Sequence, residues 1–202
     1  MDDGVWISNA MIDEERMLPL RSDISLHDRN QAIEAQRRNN RGEVLAAEDM
    51  PKEVYGTDNA TWIDSLPDFF SCGGYWAVSG ACADILRGFH LGAGGLYPVE
   101  IFQRDRTTPV PGSYYSLNFG TVKEAFQPDG SPRARKIRYR EGFWSPPILM
   151  KDGDIAVSTA ALAGSDLWVD PKMERAFFVS GGLARALTVA ELNLGLRRCR
   201  IA

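Results

Sequence analysis

Residues 76–86 read WAVSGACADIL and residues 177–187 read FFVSGGLARAL, and this duplicated pattern decides the fold. Each copy runs from an apolar, strand-like segment through a serine into a short helical segment rich in small residues. Ser79 and Ser180 stand where a side-chain oxygen can accept a hydrogen bond from a free N–H of the following helix. A connector and a second strand come after each helix, at residues 96–101 and 195–201. The pattern therefore predicts two similar strand–helix–strand units.

Around these units, short strand-like segments outnumber helical ones. The expected fold class is α+β, with mixed, mostly antiparallel sheets and a few short helices. Residues 25–41 are expected to form a weak surface helix or a mobile loop, and residues 122–126 a helical turn. Charged and apolar residues alternate in 136–140, which predicts a strand with Ile137 and Tyr139 on its buried face.

The 202 residues are 44% hydrophobic and 25% charged, which is typical of a globular protein with a substantial core. Residues 1–70 carry 15 Asp and Glu against 7 Lys and Arg, a balance of −8, whereas residues 71–202 carry 12 against 16, a balance of +4. We expect residues 1–60 to be a variable acidic segment packed on the core, and residues 61–202 to form one compact α+β unit. These charges are most simply interpreted as solvated faces; as a functional feature, an acidic N-terminal third would attract a basic partner and repel nucleic acid.

The cysteines and histidines give little indication of a metal site or a reactive thiol. Cys72, Cys82 and Cys199 lie among apolar neighbours without a Cys-x-x-Cys pair, so we expect buried, reduced thiols. His27 and His90 are too few for a histidine-rich metal site, and we expect no metal and no cofactor.

Features of targeting are also missing from the sequence. No apolar run reaches the roughly 18 residues of a membrane helix. The acidic opening at residues 1–4 differs from the basic start of a secretory signal. We therefore expect a cytoplasmic protein with no membrane partner.

Two short patterns bear a partial likeness to enzyme motifs. The glycines of 92–95 follow a predicted helix and precede a strand, which is the reverse of a dinucleotide-binding loop and favours a helix C-cap and tight turn. Ser79 and Ser180 lie between a strand and a helix, as a hydrolase nucleophile does, but neither stands in Gly-x-Ser-x-Gly. Helix capping is the favoured role of both serines, and we expect a protein that is not an enzyme.

A cluster of basic residues with one aromatic is the best candidate for nucleic-acid binding. It comprises Arg133, Arg135, Lys136, Arg138, Arg140 and the interleaved Tyr139. Cations and exposed aromatic rings together can bind single strands. Because Tyr139 is predicted to be buried and the chain is acidic overall, a solvated strand face is favoured over a protein contact, and both over a nucleic-acid site.

Several segments occur in an order that is similar to a known family. They are LPDFF at 66–70, the first serine-led copy, YPVE at 97–100, YYSLN at 114–118 and FFVS at 177–180. This order resembles a bacterial family of predicted immunity proteins from polymorphic toxin systems, formerly a domain of unknown function, with a myxobacterial founder. The similarity covers about residues 62–201, and it is weaker at 197–199, where RRC replaces a more apolar strand.

The resemblance implies a cytoplasmic antitoxin that binds a cognate protein toxin and neutralises it by steric occlusion, without catalytic residues. An acidic surface would speed its encounter with a basic toxin. The candidate steering charges are Glu43, Glu48, Asp49, Glu53, Asp58 and Asp64. We expect a monomer or weak homodimer. Two alternatives stay open: a small hydrolase or modifying enzyme of unknown substrate, and a structural module that self-associates through an open sheet edge.

Overall fold

The computed structural model describes residues 4–202 and has the α+β class that the sequence predicts. Residues 1–3 of the acidic opening lie outside the described residues. The α-helices are α1 (Asp23–His27), α2 (Arg29–Asn40), α3 (Gly80–Arg87) and α4 (Gly181–Val189). The strands are β1 (Val5–Ser8), β2 (Leu20–Ser22), β3 (Glu53–Gly56), β4 (Phe69–Cys72), β5 (Tyr75–Ser79), β6 (Gly95–Phe102), β7 (Tyr114–Asn118), β8 (Arg135–Lys136), β9 (Trp144–Ser145), β10 (Ala156–Val157), β11 (Leu167–Trp168), β12 (Phe177–Ser180), β13 (Leu196–Arg198) and β14 (Arg200–Ile201).

Two main sheets organise the molecule. One has six strands in the order β2-β3-β6-β7-β5-β4, and the other has four in the order β11-β12-β1-β13. Within these two sheets, neighbouring strands are antiparallel except for β3 and β6, which run parallel. The short pairs β8–β9 and β10–β14 complete the strand pairing of the described residues.

The duplicated sequence pattern corresponds to a duplicated structure. β5 leads into α3 through Ser79, and β12 leads into α4 through Ser180. Each serine Oγ accepts a hydrogen bond at 3.3 Å from the main-chain N–H three residues later, which confirms both predicted helix caps.

Each serine also belongs to a contact that joins the two units. Ser79 donates its hydroxyl hydrogen to Asp68 at 3.1 Å, and Ser180 donates to Asp166 at 2.6 Å. The second oxygen of Asp68 accepts the N–H of Asn193, after α4, and that of Asp166 accepts the N–H of His90, after α3. Each carboxylate therefore binds the capping serine of its own unit and the loop that follows the other unit's helix.

The two units share one central core. β5 contributes Trp76 and Val78, while β12 contributes Phe177 and Val179. The helices α3 and α4 add their apolar faces, and the ring of Phe177 lies 5.0 Å from that of Phe69 between centroids. Burial of this shared surface is the main favourable contribution to joining the sheets.

The N-terminal residues are built into both sheets. β1 lies between β12 and β13, while β2 and β3 extend the six-stranded sheet. The segment 1–60 thus supplies strands as well as an acidic surface. Whether residues 61–202 form a compact unit without it stays a prediction.

Three local expectations have definite outcomes. Residues 25–41 are helical, and Asp28 divides them into the end of α1 and the whole of α2 because its carboxylate caps α2. Residues 122–126 form no helical turn, since Val122 and Phe126 make β-bridges to Val169 and Val157.

The prediction that 136–140 is a strand with a buried Tyr139 is wrong. The strand ends at Lys136, the chain turns through hydrogen bonds that link Ile137 with Phe143 and Arg140, and Tyr139 is 85% exposed at the tip. Alternation over so few residues is also compatible with a turn, and here the turn hydrogen bonds determine the conformation.

Candidate partner-binding surface

Three of the predicted steering charges meet near the end of α2. The Arg38 guanidinium bonds Glu43 and Asp49, each at 3.1 Å. Glu48 lies in the same short 3₁₀ turn as Asp49 and is exposed. Because Arg38 pairs with both Glu43 and Asp49, Glu48 is the carboxylate of this group whose negative charge is least compensated by a neighbouring cation.

A second acidic group lies on strands β3 and β6. Glu53 stands opposite Glu100, and Tyr55 stands opposite Phe102 in the parallel register. The two rings stack with their centroids 5.6 Å apart. Asp23 joins the group, since its carboxylate accepts the main-chain N–H of Glu53 at 3.2 Å. The structure therefore adds Asp23 and Glu100 to the predicted charges.

We call the surface formed by Glu53, Tyr55, Pro98, Glu100, Phe102 and Tyr115 the β3–β6 face. Val54, Val99 and Ile101 alternate with its members along the strands and point into the core on the other side. An open groove of about 810 Å³ runs over this region. The alternation of exposed Pro98 and Glu100 with buried Val99 and Ile101 was the sequence signal that could have revealed this face.

One hydrogen bond on this face perturbs a tyrosine. The Tyr55 hydroxyl donates to the Glu53 carboxylate, and this bond raises the pKa of Tyr55 above its ordinary value. Tyr55 therefore stays protonated at neutral pH and presents an aromatic ring beside the carboxylates.

The last two predicted charges lie apart from these groups. Asp58 follows β3 and lines a small pocket with Arg21 and Arg106. Asp64 is exposed in the loop before β4. The six predicted residues thus lie in several separate places and form no single cluster.

A separate cleft of about 630 Å³ has the opposite character. Arginines from the end of α2 and from the loops near β8 and β12 line it, together with apolar side chains. The lining residues include Arg37, Arg41, Arg140, Arg175, Met11 and Trp76.

The serine–aspartate pairs are the candidate catalytic groups for the alternative in which this protein is a hydrolase. Ser180 and Asp166 line a pocket of about 420 Å³ at the start of α4. The contact of His90 with Asp166 is made by its main-chain N–H, not by its imidazole. The Ser180 hydroxyl donates to Asp166 and accepts from Leu183, which is the arrangement of a helix cap.

A half-buried lysine lies next to this pocket. Lys123 Nζ donates to the carbonyl oxygens of Ala161 at 3.3 Å and Ser165 at 2.7 Å, and it lies 3.6 Å from the centroid of the Trp168 ring. Burial lowers the pKa of Lys123 from 10.5 to about 8. The folded protein therefore binds fewer protons than the unfolded chain between pH 8 and 10.5.

Because the unfolded chain binds the extra proton, this group makes stability rise with pH across that window. We expect the wild type to gain stability relative to Lys123→Met as the pH rises from 8 to 10.5. Urea unfolding of both proteins at several pH values in this window measures the difference in their free energies of unfolding. The contributions of the other titrating groups cancel in that difference. Parallel curves would show that Lys123 has the same pKa in both states.

The three cysteines are buried and free, as expected. Burial raises the pKa of Cys82 to about 12, and it also raises the pKa of Cys72 and of Cys199. These thiols are protonated and unreactive at neutral pH. Within residues 4–202, no group of three or more His, Cys, Asp or Glu side chains is arranged to hold a metal ion.

In the described part of the chain, every helix is too short or too polar to cross a bilayer. A scan of protein-family models gives no match to this sequence, and a search of curated proteins gives none either.

Proposed function

We propose that this protein is a non-catalytic immunity protein that binds a basic bacterial toxin and blocks it by occlusion. The observation that carries the proposal is the β3–β6 face, a sheet surface that combines half-buried aromatic rings with acidic side chains beside an open groove. Aromatic anchors with a charged rim are typical of protein interfaces. The order of motifs that resembles an immunity family supports the same conclusion.

The charge pattern fits a basic partner. Glu53 and Glu100 are neighbours across strands, and Asp23 lies beside them. Carboxylates this close repel one another when the surface is free. A lysine or arginine of a partner would relieve that repulsion, so the free protein is predisposed to bind cations.

The direct test is protection of growth. The candidate toxin is the C-terminal domain of a large secreted protein encoded beside the gene for this chain, and this domain is expressed in a bacterial host with and without the chain. We expect toxicity from the domain alone, rescue by the chain, and a stable complex of the two purified proteins. Rescue without any complex would contradict occlusion and favour the enzyme alternative.

The role of the β3–β6 face is tested by reversing its charges. The double variant Glu53→Lys/Glu100→Lys is expected to slow association with the toxin by about tenfold at low salt, because it removes electrostatic attraction. Stopped-flow measurement at several salt concentrations gives the rate.

The matched control is Glu15→Lys/Glu124→Lys, which makes the same change in net charge at two exposed positions away from this face. An equal slowing in both variants would mean that net charge, and not the β3–β6 face, governs the encounter. Circular dichroism of each variant confirms that it is folded.

A further inference from the structure

The arginine-lined cleft has features of a ligand site that the proposed toxin contact does not use. We define it by Arg37, Arg41, Arg140, Arg175, Met11 and Trp76, with Glu14 and Glu174 also on its lining. Four arginines and two glutamates line the cleft, so its lining residues have an excess of two positive charges. Its volume of about 630 Å³ is within the usual range for small-molecule sites.

Part of the cleft is held in place before any ligand arrives. The Arg140 guanidinium pairs with Glu174 and lies 3.7 Å from the centroid of the Phe143 ring. Trp76 donates its indole N–H to Asn40 at 3.0 Å, which fixes the wall against the end of α2. A site with its side chains already positioned loses less entropy on binding.

Other arginines of the cleft keep their charge available. Within residues 4–202, neither Arg41 nor Arg175 forms an ion pair, and Arg37 lies 3.8 Å from an exposed Glu34. Such an exposed pair contributes little and is easily exchanged for another anion.

The backbone at Arg175 is unusual when the two strand–helix units are compared. Arg175 has a φ of 56°, in the left-handed region that L-residues other than Asn and Asp seldom adopt. In the first strand–helix unit, the residue two positions before Trp76 is Gly74, which also has a positive φ of 91°. Arg175 is two positions before Phe177, which matches Trp76 in the duplicated pattern. The second unit thus keeps an arginine where the first has the glycine that this conformation favours.

We propose that this cleft binds a small phosphate-bearing ligand of about nucleotide size. A guanidinium group can donate two parallel hydrogen bonds to a phosphate, and four arginines line this one cleft. The exposed Met17 and the half-buried Ile12 on the same lining would contact the uncharged part of the ligand. This site is separate from the β3–β6 face, so it is independent of the toxin proposal.

The test measures binding of pyrophosphate and ADP to the full chain by calorimetry and by the rise in melting temperature. We expect both probes to bind the wild type, and Arg175→Gly to weaken binding by about tenfold. Because glycine suits the left-handed backbone, the variant should melt at the same temperature as the wild type or higher without ligand. Loss of affinity with no loss of stability is the expected signature.

The matched control is Arg106→Gly, which removes the same charge at a φ of 61° in a turn outside the cleft. It should bind both probes as the wild type does. Arg41→Gln gives a second variant that lowers affinity without touching the strained backbone. The proposal is overturned if the wild type binds neither probe at millimolar concentration, or if Arg106→Gly loses as much affinity as Arg175→Gly. It is also overturned if citrate binds as tightly as pyrophosphate, since that would show no preference for phosphate.

Discussion

Replacing Phe177 with alanine is expected to lower the free energy of unfolding by about 4 kcal/mol. The ring is fully buried, at 0% exposure, and it lies 5.0 Å from Phe69 and 5.6 Å from Phe119 between centroids. Removing it leaves a cavity where both sheets meet, and the surrounding rings can fill that space only in part.

The same variant tests whether the two strand–helix–strand units unfold together. Urea unfolding followed by fluorescence and by circular dichroism should give one coincident transition at lower urea. The control is Tyr139→Ala, an aromatic of similar size that is 85% exposed and should change stability by less than about 0.5 kcal/mol. Two separated transitions for Phe177→Ala would mean that the units have independent cores.

Replacing Asn118 with alanine is expected to cost about 3 kcal/mol, because a buried amide network would lose its centre. Asn118 donates to Asn39 and to the carbonyl of Glu43, each at 2.8 Å, and it accepts the N–H of Leu45 at 3.1 Å. Asn39 in turn accepts the N–H of Phe119 and donates to the carbonyl of Leu117. Both asparagines are at most 1% exposed, so water cannot replace the lost partners.

The same substitution should loosen the segment that carries Glu43 and Glu48. Hydrogen exchange at the Leu45 amide is expected to accelerate more than exchange in β12, which lies outside the network. The control is Asn9→Ala, which removes one 3.3 Å surface hydrogen bond to Ile148 and should cost less than about 1 kcal/mol. If Asn118→Ala were as stable as that control, the network would contribute nothing to the fold.

The duplicated units could be predicted from the sequence because their signals are local. Ser79 and Ser180 each stand between a strand pattern and a helix pattern, and a helix cap needs only the residues beside it. The glycines near residue 92 were likewise assigned to a turn, and Gly92 has a φ of 68°. Such features depend on a few consecutive residues, so a single sequence contains them in full.

The contacts between the units could not be predicted, because they depend on which elements meet in space. Nothing near Asp68 in the sequence indicates that its carboxylate accepts a hydrogen bond from the main-chain N–H of Asn193. The β3–β6 face depends on the parallel pairing of β3 with β6, which brings Glu100 beside Glu53. Glu53 is one of the predicted charges and Glu100 is not, because all six predicted charges come from the acidic N-terminal third of the sequence.

The arginine-lined cleft was missed for a related reason. Its arginines come from residues 37–41, 140 and 175, which are far apart in the chain. The balance of −8 over residues 1–70 concealed the three arginines near the end of α2. A regional charge total cannot reveal a local patch of the opposite sign that forms only after folding.

The position of β1 has a consequence for how the chain is made. β1 begins at residue 5, whereas its partners β12 and β13 begin at residues 177 and 196, so the ribosome makes both partners long after β1. The four-stranded sheet can therefore close only once the residues between them have been synthesised, and until then β1 has two unpaired edges. Pairings this distant in sequence form slowly, so a nascent chain spends time in a state that chaperones would recognise.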